Sequence, residues 1–351
     1  MPRTQKIGIT KSILYTALAL TFFLYAGSTA RAGRLIEPRD NPYGYLSVPT
    51  QVTRFGDTWY VADMYHGQFI YSKELGTPLK QWKIMANGLA GAHSVAYDGS
   101  VFMVVDTENN RVRVYRKVWN GFEETQVFDD VGVRPHYVVY DGETGLFCAW
   151  SSMTGEMYLF ARNGESAEVS RAGVLSVPEL KGRYVRSFFI EGDTVYLPCA
   201  DTGKMYAVSK TTFKVKKIYA VPQEIAGIVQ LTRIQDYYYV SVSSDMQYDQ
   251  SHATIVRAKS LNALQKGEYE DLSAVFAAQL KNTAQTGGAS ADTALSDARE
   301  GYFGADAAPY YISKIDGMYY TPLIRPDGKS GILKFEVVDN RIERVKEITY
   351  P

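Results

Sequence analysis

Several features that define other protein classes are scarce in this chain of 351 residues. It has only two cysteines and four histidines, and its 38 basic and 38 acidic side chains give a formal net charge of zero. At most one disulfide excludes a disulfide scaffold, and the balanced charge argues against nucleic acid as a partner. The sequence also lacks a nucleophile elbow, a phosphate-binding loop and a zinc-protease helix motif. What remains is a globular domain without the signature of these enzyme classes.

A long apolar run occurs at the N-terminus. Three basic residues precede a charge-free stretch over 12–30, and Ala30 and Ala32 then form an A-x-A arrangement. This order is typical of a signal peptide cleaved before Gly33. We therefore predict a signal peptide over 1–32 and a secreted or periplasmic domain over 33–351. The alternative is an uncleaved N-terminal membrane anchor, because a charge-free run of about 19 residues is at the lower limit for a bilayer span. This segment would then be the part of the protein through which it contacts a membrane.

The rest of the chain repeats one pattern of short strands and tight turns. Copies with Gly-Asp or Asp-Gly turns begin at Val52, Val95, Val138 and Phe188, and weaker copies begin at Leu231 and Ile312. His93 and His136 stand 43 residues apart, within the ~40 to 50 residue period of propeller blades. We predict an all-β fold, a six-bladed β-propeller of four-stranded antiparallel blades. We further expect residues 33–38 to close the ring by pairing with the last blade.

One segment of the predicted domain departs from the repeat. An insertion at about 260–308 is rich in Ala, Ser, Thr and Gly, and such long connections usually serve as lids, binding loops or linkers. A disordered surface insertion and a lid over one face of the ring both remain open.

Cys148 and Cys199 lie in strand-like segments, so we expect two small buried hydrophobic residues.

The second repeat carries a family resemblance. Its segments HSVAYDG, over 93–99, and DTENNRVRVY, over 106–115, resemble the NHL-repeat family of six-bladed β-propellers, whose repeats end a strand with Asp and continue with Asn-Arg-hydrophobic. The first repeat keeps the aspartate as Asp63. The resemblance implies a six-bladed ring around a central channel. Asp63 and Asp106 are interpreted as turn-stabilising residues without a catalytic role, because an Asp at a turn accepts backbone hydrogen bonds.

Candidate functional residues come from one register of the repeat. In a propeller the innermost strands line the channel, and their first residues face one mouth. Six residues occupy this register and are our predicted ligand-binding residues: His93, His136, Arg186, Gln51, Gln230 and Tyr311. We expect such positions at an open mouth to contribute little packing.

Two functions remain open for this mouth. Arg186 offers a planar fork for a carboxylate or phosphate, and His93 and His136 add donors or a switchable charge. This predicts an extracytoplasmic binding or scaffold module for a small anionic, peptide or glycan ligand, or for a protein partner. Alternatively, the two imidazoles hold a divalent metal, Zn²⁺ or Ca²⁺, in a metal-dependent lyase or hydrolase.

The metal alternative rests on a second resemblance. A metal held by His93 and His136 resembles the site in propellers of the peptidyl-α-hydroxyglycine α-amidating lyase type, in which histidines from different blades hold a metal at the central channel. The register that would supply a third histidine holds Arg186, which cannot ligate and repels a cation. His93, His136 and Arg186 therefore favour an anionic ligand over a metal cation. A purely structural role, in which His93 and His136 satisfy backbone groups around the channel, is the third interpretation.

Overall fold

The computed structural model describes residues 33–286 and 301–350, so the predicted signal peptide over 1–32 lies outside the described residues. Within these ranges, six antiparallel sheets follow one another along the chain as the blades of a six-bladed β-propeller. The predicted fold class is confirmed. None of the helices in the described ranges has the length and apolar character needed to cross a bilayer.

Each blade has four main strand positions, ordered from the channel outwards as they occur in the chain. The strands of blades one to three are Pro49–Phe55, Thr58–Asp63, Gln68–Ser72 and Lys83–Asn87; Val95–Tyr97, Val101–Asp106, Arg111–Val118 and Gly121–Phe128; and Pro135–Asp141, Leu146–Ser151, Glu156–Arg162 and Val169–Ser176. Those of blades four and five are Phe189–Glu191, Thr194–Cys199, Lys204–Ser209 and Val215–Ala220; and Ile228–Ile234, Tyr237–Val242, Thr254–Ala258 and Glu270–Asp271.

Blade six has a divided inner position. Two short segments, Ala308–Pro309 and Ser313–Ile315, both pair with the strand Met318–Ile324. The strands Gly331–Val338 and Arg341–Ile348 then complete the sheet outwards.

The N-terminal strand lies in a different blade from the one predicted. Arg34–Ile36 pairs antiparallel with Gly121–Phe128 and forms a fifth, outermost strand of blade two. The expectation that this segment closes the ring on the last blade is therefore wrong, because blade six draws all its strands from 308–348. The ring closes through its inner strands, where the backbone N–H of Tyr311 donates to the carbonyl oxygen of Thr50 at 3.3 Å.

Apolar side chains fill the spaces between neighbouring blades. Val105 of blade two and Phe147 of blade three belong to one fully buried cluster, and Val52 of blade one packs in another with Ile332 of blade six. Cys148 and Cys199 are buried and unpaired, and burial raises the pKa of both thiols to about 12. The prediction of two buried hydrophobic cysteines is confirmed.

The aspartates of the first two repeats tie each blade to the loop before it. An oxygen of Asp63 accepts from the backbone N–H of Ser47 at 2.7 Å, and Asp106 accepts in the same way from Ala90 at 2.7 Å. Both carboxylates are fully buried. Their structural role is confirmed, although the backbone donors lie in the preceding loop, which the sequence pattern does not indicate.

The described part of the insertion is packed structure. Its strand Glu270–Asp271 completes blade five, and Phe276 is fully buried between blades five and six, 5.1 Å from Phe335 between ring centroids. These parts form no lid over the mouth, and residues 287–300 lie outside the described residues.

The described helical segments are α1 at Leu261–Gln265, α2 at Ser273–Thr286, and 3-10 turns at Leu79–Gln81, Thr107–Asn109, Pro178–Leu180, Gln223–Ile225, Gln250–His252 and Pro326–Gly328.

Candidate ligand site at the channel mouth

Two predicted site residues, His93 and His136, meet at the centre of the ring. They precede or begin the inner strands of blades two and three, and their rings stack with centroids 3.8 Å apart and planes inclined by 22°. His93 is 6% exposed and His136 is fully buried. The expectation that these positions contribute little packing is therefore wrong, because the two rings pack against each other inside the channel.

Hydrogen bonds fix the tautomer of His136. Its Nδ1 lies 2.9 Å from the carbonyl oxygen of Arg186 and 3.1 Å from the hydroxyl of Tyr311, which itself donates to the same carbonyl at 2.9 Å. Because a carbonyl oxygen can only accept, Nδ1 carries the hydrogen. This leaves Nε2 to accept from the hydroxyl of Tyr184 at 3.3 Å. His136 is held as one neutral tautomer.

Burial and nearby positive charge keep both imidazoles neutral. Burial, followed by the charges of Arg186 and Arg134, lowers the pKa of His93 to about 3. Burial, the neighbouring His93 and the same two arginines hold the pKa of His136 well below its ordinary value of 6.5. At neutral pH each ring therefore offers one donor and one acceptor, and neither carries charge.

Arg186 is the cation at the centre of this mouth. Its Nη1 donates to the hydroxyl of Ser243 at 2.5 Å and to the carbonyl oxygen of Gly227 at 3.5 Å. Burial alone would lower the pKa of Arg186, but the phenol groups around it, Tyr184 first, raise the value. Among the residues that the structure describes, no carboxylate forms an ion pair with this guanidinium. Arg186 is thus a half-buried cation without a counter-charge among the described residues.

The sequence did not single out two further residues of the mouth, Arg134 and Tyr184. The guanidinium carbons of Arg134 and Arg186 lie 5.5 Å and 5.1 Å from the centroid of the Tyr184 ring. Arg134 and Tyr184 each stand two residues before a predicted site residue, His136 or Arg186. Positions i and i+2 of an extended segment share a face, so this spacing could have identified Tyr184, whereas the left-handed backbone at Arg134 interrupts the alternation there.

The remaining predicted residues divide into two groups. Tyr311 belongs to the mouth through His136, as described above, and the hydroxyl of its neighbour Tyr310 lies 3.5 Å from Nδ1 of His93. Gln51 and Gln230 instead join blades: their side-chain oxygens accept from the backbone N–H groups of Val95 at 2.8 Å and Ile312 at 2.6 Å. The structure does not bring these two glutamines into the histidine–arginine cluster.

The opposite end of the channel has different electrostatics. A cavity of about 430 Å³ extends from there along the inner strands of blades three to five, and its lining includes the aromatic residues Tyr137 and Phe188. Its cation, Lys210, is 2.8 Å from carboxylate oxygens of both Asp141 and Glu143. Unlike Arg186, Lys210 is already neutralised by the protein.

The histidine pair does not fit a metal centre. Zn²⁺ requires ring nitrogens that point at one ion from about 2.0 to 2.1 Å, whereas His93 and His136 stack nearly parallel, so the lone pairs in their ring planes do not converge. No group of three or more His, Cys, Asp or Glu in the described ranges is arranged to hold a metal ion. The metal site stays a prediction from the sequence.

Comparison with known proteins bears on the fold alone. No protein-family model matches the chain, and a search of curated proteins found no match. Among solved structures, a candidate 6-phosphogluconolactonase of Bacteroides fragilis NCTC 9343 is similar with a TM-score of 0.54 and 12% identity, over 86% of this chain and 83% of the other.

Two further structures give the same result. A candidate 6-phosphogluconolactonase of Bacteroides uniformis ATCC 8492 has a TM-score of 0.52 and 11% identity, over 83% of this chain and 81% of the other. A streptogramin B lyase has a TM-score of 0.51 and 13% identity, over 89% and 85%. The chain is therefore a six-bladed β-propeller similar in fold to these proteins.

Proposed function

We propose that this protein is an extracytoplasmic propeller that binds a small anionic ligand at the mouth formed by His93, His136, Arg186 and Tyr311. The ligand would be a carboxylate or phosphate, either free or as the acidic group of a peptide or glycan. The extracytoplasmic location rests on the predicted signal peptide. The observation that carries the proposal is the half-buried Arg186 without a carboxylate partner among the described residues.

The electrostatics of the mouth favour an anion over a cation. A guanidinium that has lost part of its hydration and lacks a protein counter-charge gains most from a charged acceptor, through short, charge-assisted hydrogen bonds. The Nη1 hydrogen bonds of Arg186 and its interaction with the Tyr184 side chain use part of its donor set. The remaining N–H groups can form the planar fork that a carboxylate or phosphate accepts. The neutral rings of His93 and His136 add polarity without opposing charge.

A lyase or hydrolase activity has less support. At 11 to 13% identity, the activities named for the lactonase and lyase structures do not transfer to this chain. The metal that such an activity would use on His93 and His136 lacks a third ligand among the described residues.

Calorimetric titration tests the proposal. The domain from Gly33 onward, at about pH 8 and low salt, is titrated with acetate, succinate and phosphate, and with glucose as an uncharged comparison. We expect binding of at least one anion and none of glucose. Arg186→Met should weaken anion binding about tenfold to a hundredfold, because it removes charge-assisted hydrogen bonds worth about 1.5 to 3 kcal/mol.

Arg183 provides a matched control. It stands three residues before Arg186, but its side chain is half exposed and lies 3.8 Å from Asp201. Arg183→Met removes the same charge from a neighbouring position and should leave anion affinity unchanged. Equal binding by wild type and Arg186→Met, or equal losses in both variants, would refute a site centred on Arg186.

A further inference from the structure

A second cation beside the mouth, Arg134, is held in a conformation that ordinary packing does not favour. Its backbone has φ of 58°, in the left-handed region, although Pro135 follows and disfavours helical conformations of either hand. The surroundings impose this geometry: the backbone N–H donates to Asn110 Oδ1 at 2.8 Å, and the carbonyl oxygen accepts from Ser152 at 2.9 Å. Val48 has the same φ of 58° before Pro49, and its carbonyl oxygen accepts from Met64 at 3.2 Å, so this turn belongs to the blade repeat and fixes the Arg134 backbone beside the mouth.

The side chain of Arg134 is incompletely satisfied. Its Nη2 pairs with Glu108 Oε1 at 2.6 Å, and both side chains are exposed, 38% and 52%. Its Nε is buried and finds no hydrogen-bond partner within the described residues. An exposed ion pair of this kind contributes little stability, so a better acceptor could replace Glu108 at small cost.

Arg134 and Arg186 share one aromatic neighbour. Both guanidinium groups lie against the ring of Tyr184, whose hydroxyl contacts His136. The positive charges of both arginines also reach His93. Two cations directed at one mouth match a ligand with two negative charges better than a ligand with one.

We propose that Arg134 is a second anion-binding residue and that the ligand is a dianion, which Arg134 and Arg186 bind together after it displaces Glu108 from Arg134. This inference rests on the proposed function and specifies its ligand class. A phosphate monoester and a dicarboxylate share the required chemistry, and the test uses inorganic phosphate and succinate as separate probes for them.

The experiment compares dianions with acetate, a monoanion, by calorimetry at about pH 8, where phosphate carries close to two negative charges. We expect wild type to bind phosphate or succinate at least about tenfold more tightly than acetate. Arg134→Met should lower dianion affinity about tenfold more than acetate affinity, so that the preference falls to about one. The left-handed backbone at position 134 disfavours Arg and Met alike, so this variant should fold, which a thermal melt verifies.

Two further variants sharpen the test. Glu108→Gln removes the internal competitor and should tighten dianion binding about two- to fivefold, an effect opposite in sign to any loss from damaged folding. Arg183→Met, the control that removes an equal charge from a neighbouring position, should leave the preference unchanged.

The outcomes separate this inference from the proposed function. If Arg186→Met abolishes anion binding but Arg134→Met keeps the dianion preference, the mouth binds anions and the dianion inference is wrong. A wild-type protein that binds dianions no better than acetate, or a Glu108→Gln variant without tighter binding, also overturns the inference. Absence of any anion binding in wild type would refute the proposed function itself.

Discussion

The neutral histidine pair makes the stability of the fold depend on pH. In the unfolded chain each histidine titrates near its ordinary pKa of 6.5, whereas burial and two arginines lower the folded pKa of His93 to about 3 and that of His136 well below 6.5. The unfolded state therefore binds more protons below pH 6.5. The free energy of unfolding is highest above that pH and falls as the pH drops towards the folded pKa values.

The magnitude follows from the pKa difference. Each pH unit between the unfolded pKa and the folded pKa costs about 1.4 kcal/mol per histidine. At pH 5, which lies about 1.5 units below the unfolded pKa and above the folded pKa of His93, this histidine removes about 2 kcal/mol. The lowered pKa of His136 acts in the same direction, so the pair should remove at least about 2 kcal/mol, a large part of the stability of an ordinary domain.

Urea denaturation at pH 7.5 and pH 5 measures this effect. The test variant carries His93→Asn with His136→Asn, since Asn places an amide near Nδ1 of each ring and does not titrate. We expect its free energy of unfolding to change by at least about 2 kcal/mol less between the two pH values than that of wild type. Comparing each protein with itself cancels the packing lost with the stacked rings.

The exposed His252, on a 3-10 turn, supplies the control. His252→Gln should keep the pH dependence of wild type. An Asn double variant with the same pH dependence as wild type would show that the buried pair is not the source, and would contradict the neutral, desolvated state derived for His93 and His136.

Three further predictions concern the blades, the insertion and the N-terminus. Gln51→Ala should cost about 1 to 3 kcal/mol in urea denaturation because it leaves the Val95 N–H without its acceptor; an unchanged midpoint would contradict the bridging role. Phe276→Ala should cost about 3 to 5 kcal/mol by opening a cavity between blades five and six, whereas a loss under about 1 kcal/mol would show that the insertion packs loosely. N-terminal sequencing of the exported protein should begin at Gly33; an intact residue 1 in a membrane fraction would support the anchor instead.

Local patterns in the sequence carried most of the fold prediction. The Gly-Asp and Asp-Gly turns and the 43-residue spacing of His93 and His136 identify hairpins and blades because turn chemistry and strand alternation act over a few residues. The buried, unpaired state of Cys148 and Cys199 also follows from their strand-like surroundings. Each of these inferences needs only neighbours along the chain.

The error at the N-terminus has a long-range cause. Whether Arg34–Ile36 joins blade six or blade two depends on which sheet edge is vacant, and that is decided by strands more than eighty residues away. The insertion shows the same limit, since its composition predicted a loop. Its helix α2 forms because Phe276 finds an apolar space between two blades.

The candidate site was half determined by sequence. The repeat register placed His93, His136, Arg186 and Tyr311 at one mouth, because equivalent positions in a closed ring face the same way. The same register also selected Gln51 and Gln230, whose side chains turn to the backbone of the neighbouring blade. Only the tertiary structure decided that the histidines are buried, neutral and stacked, and that Arg134 joins Arg186 over Tyr184, because burial and charge depend on side chains from several blades meeting in space.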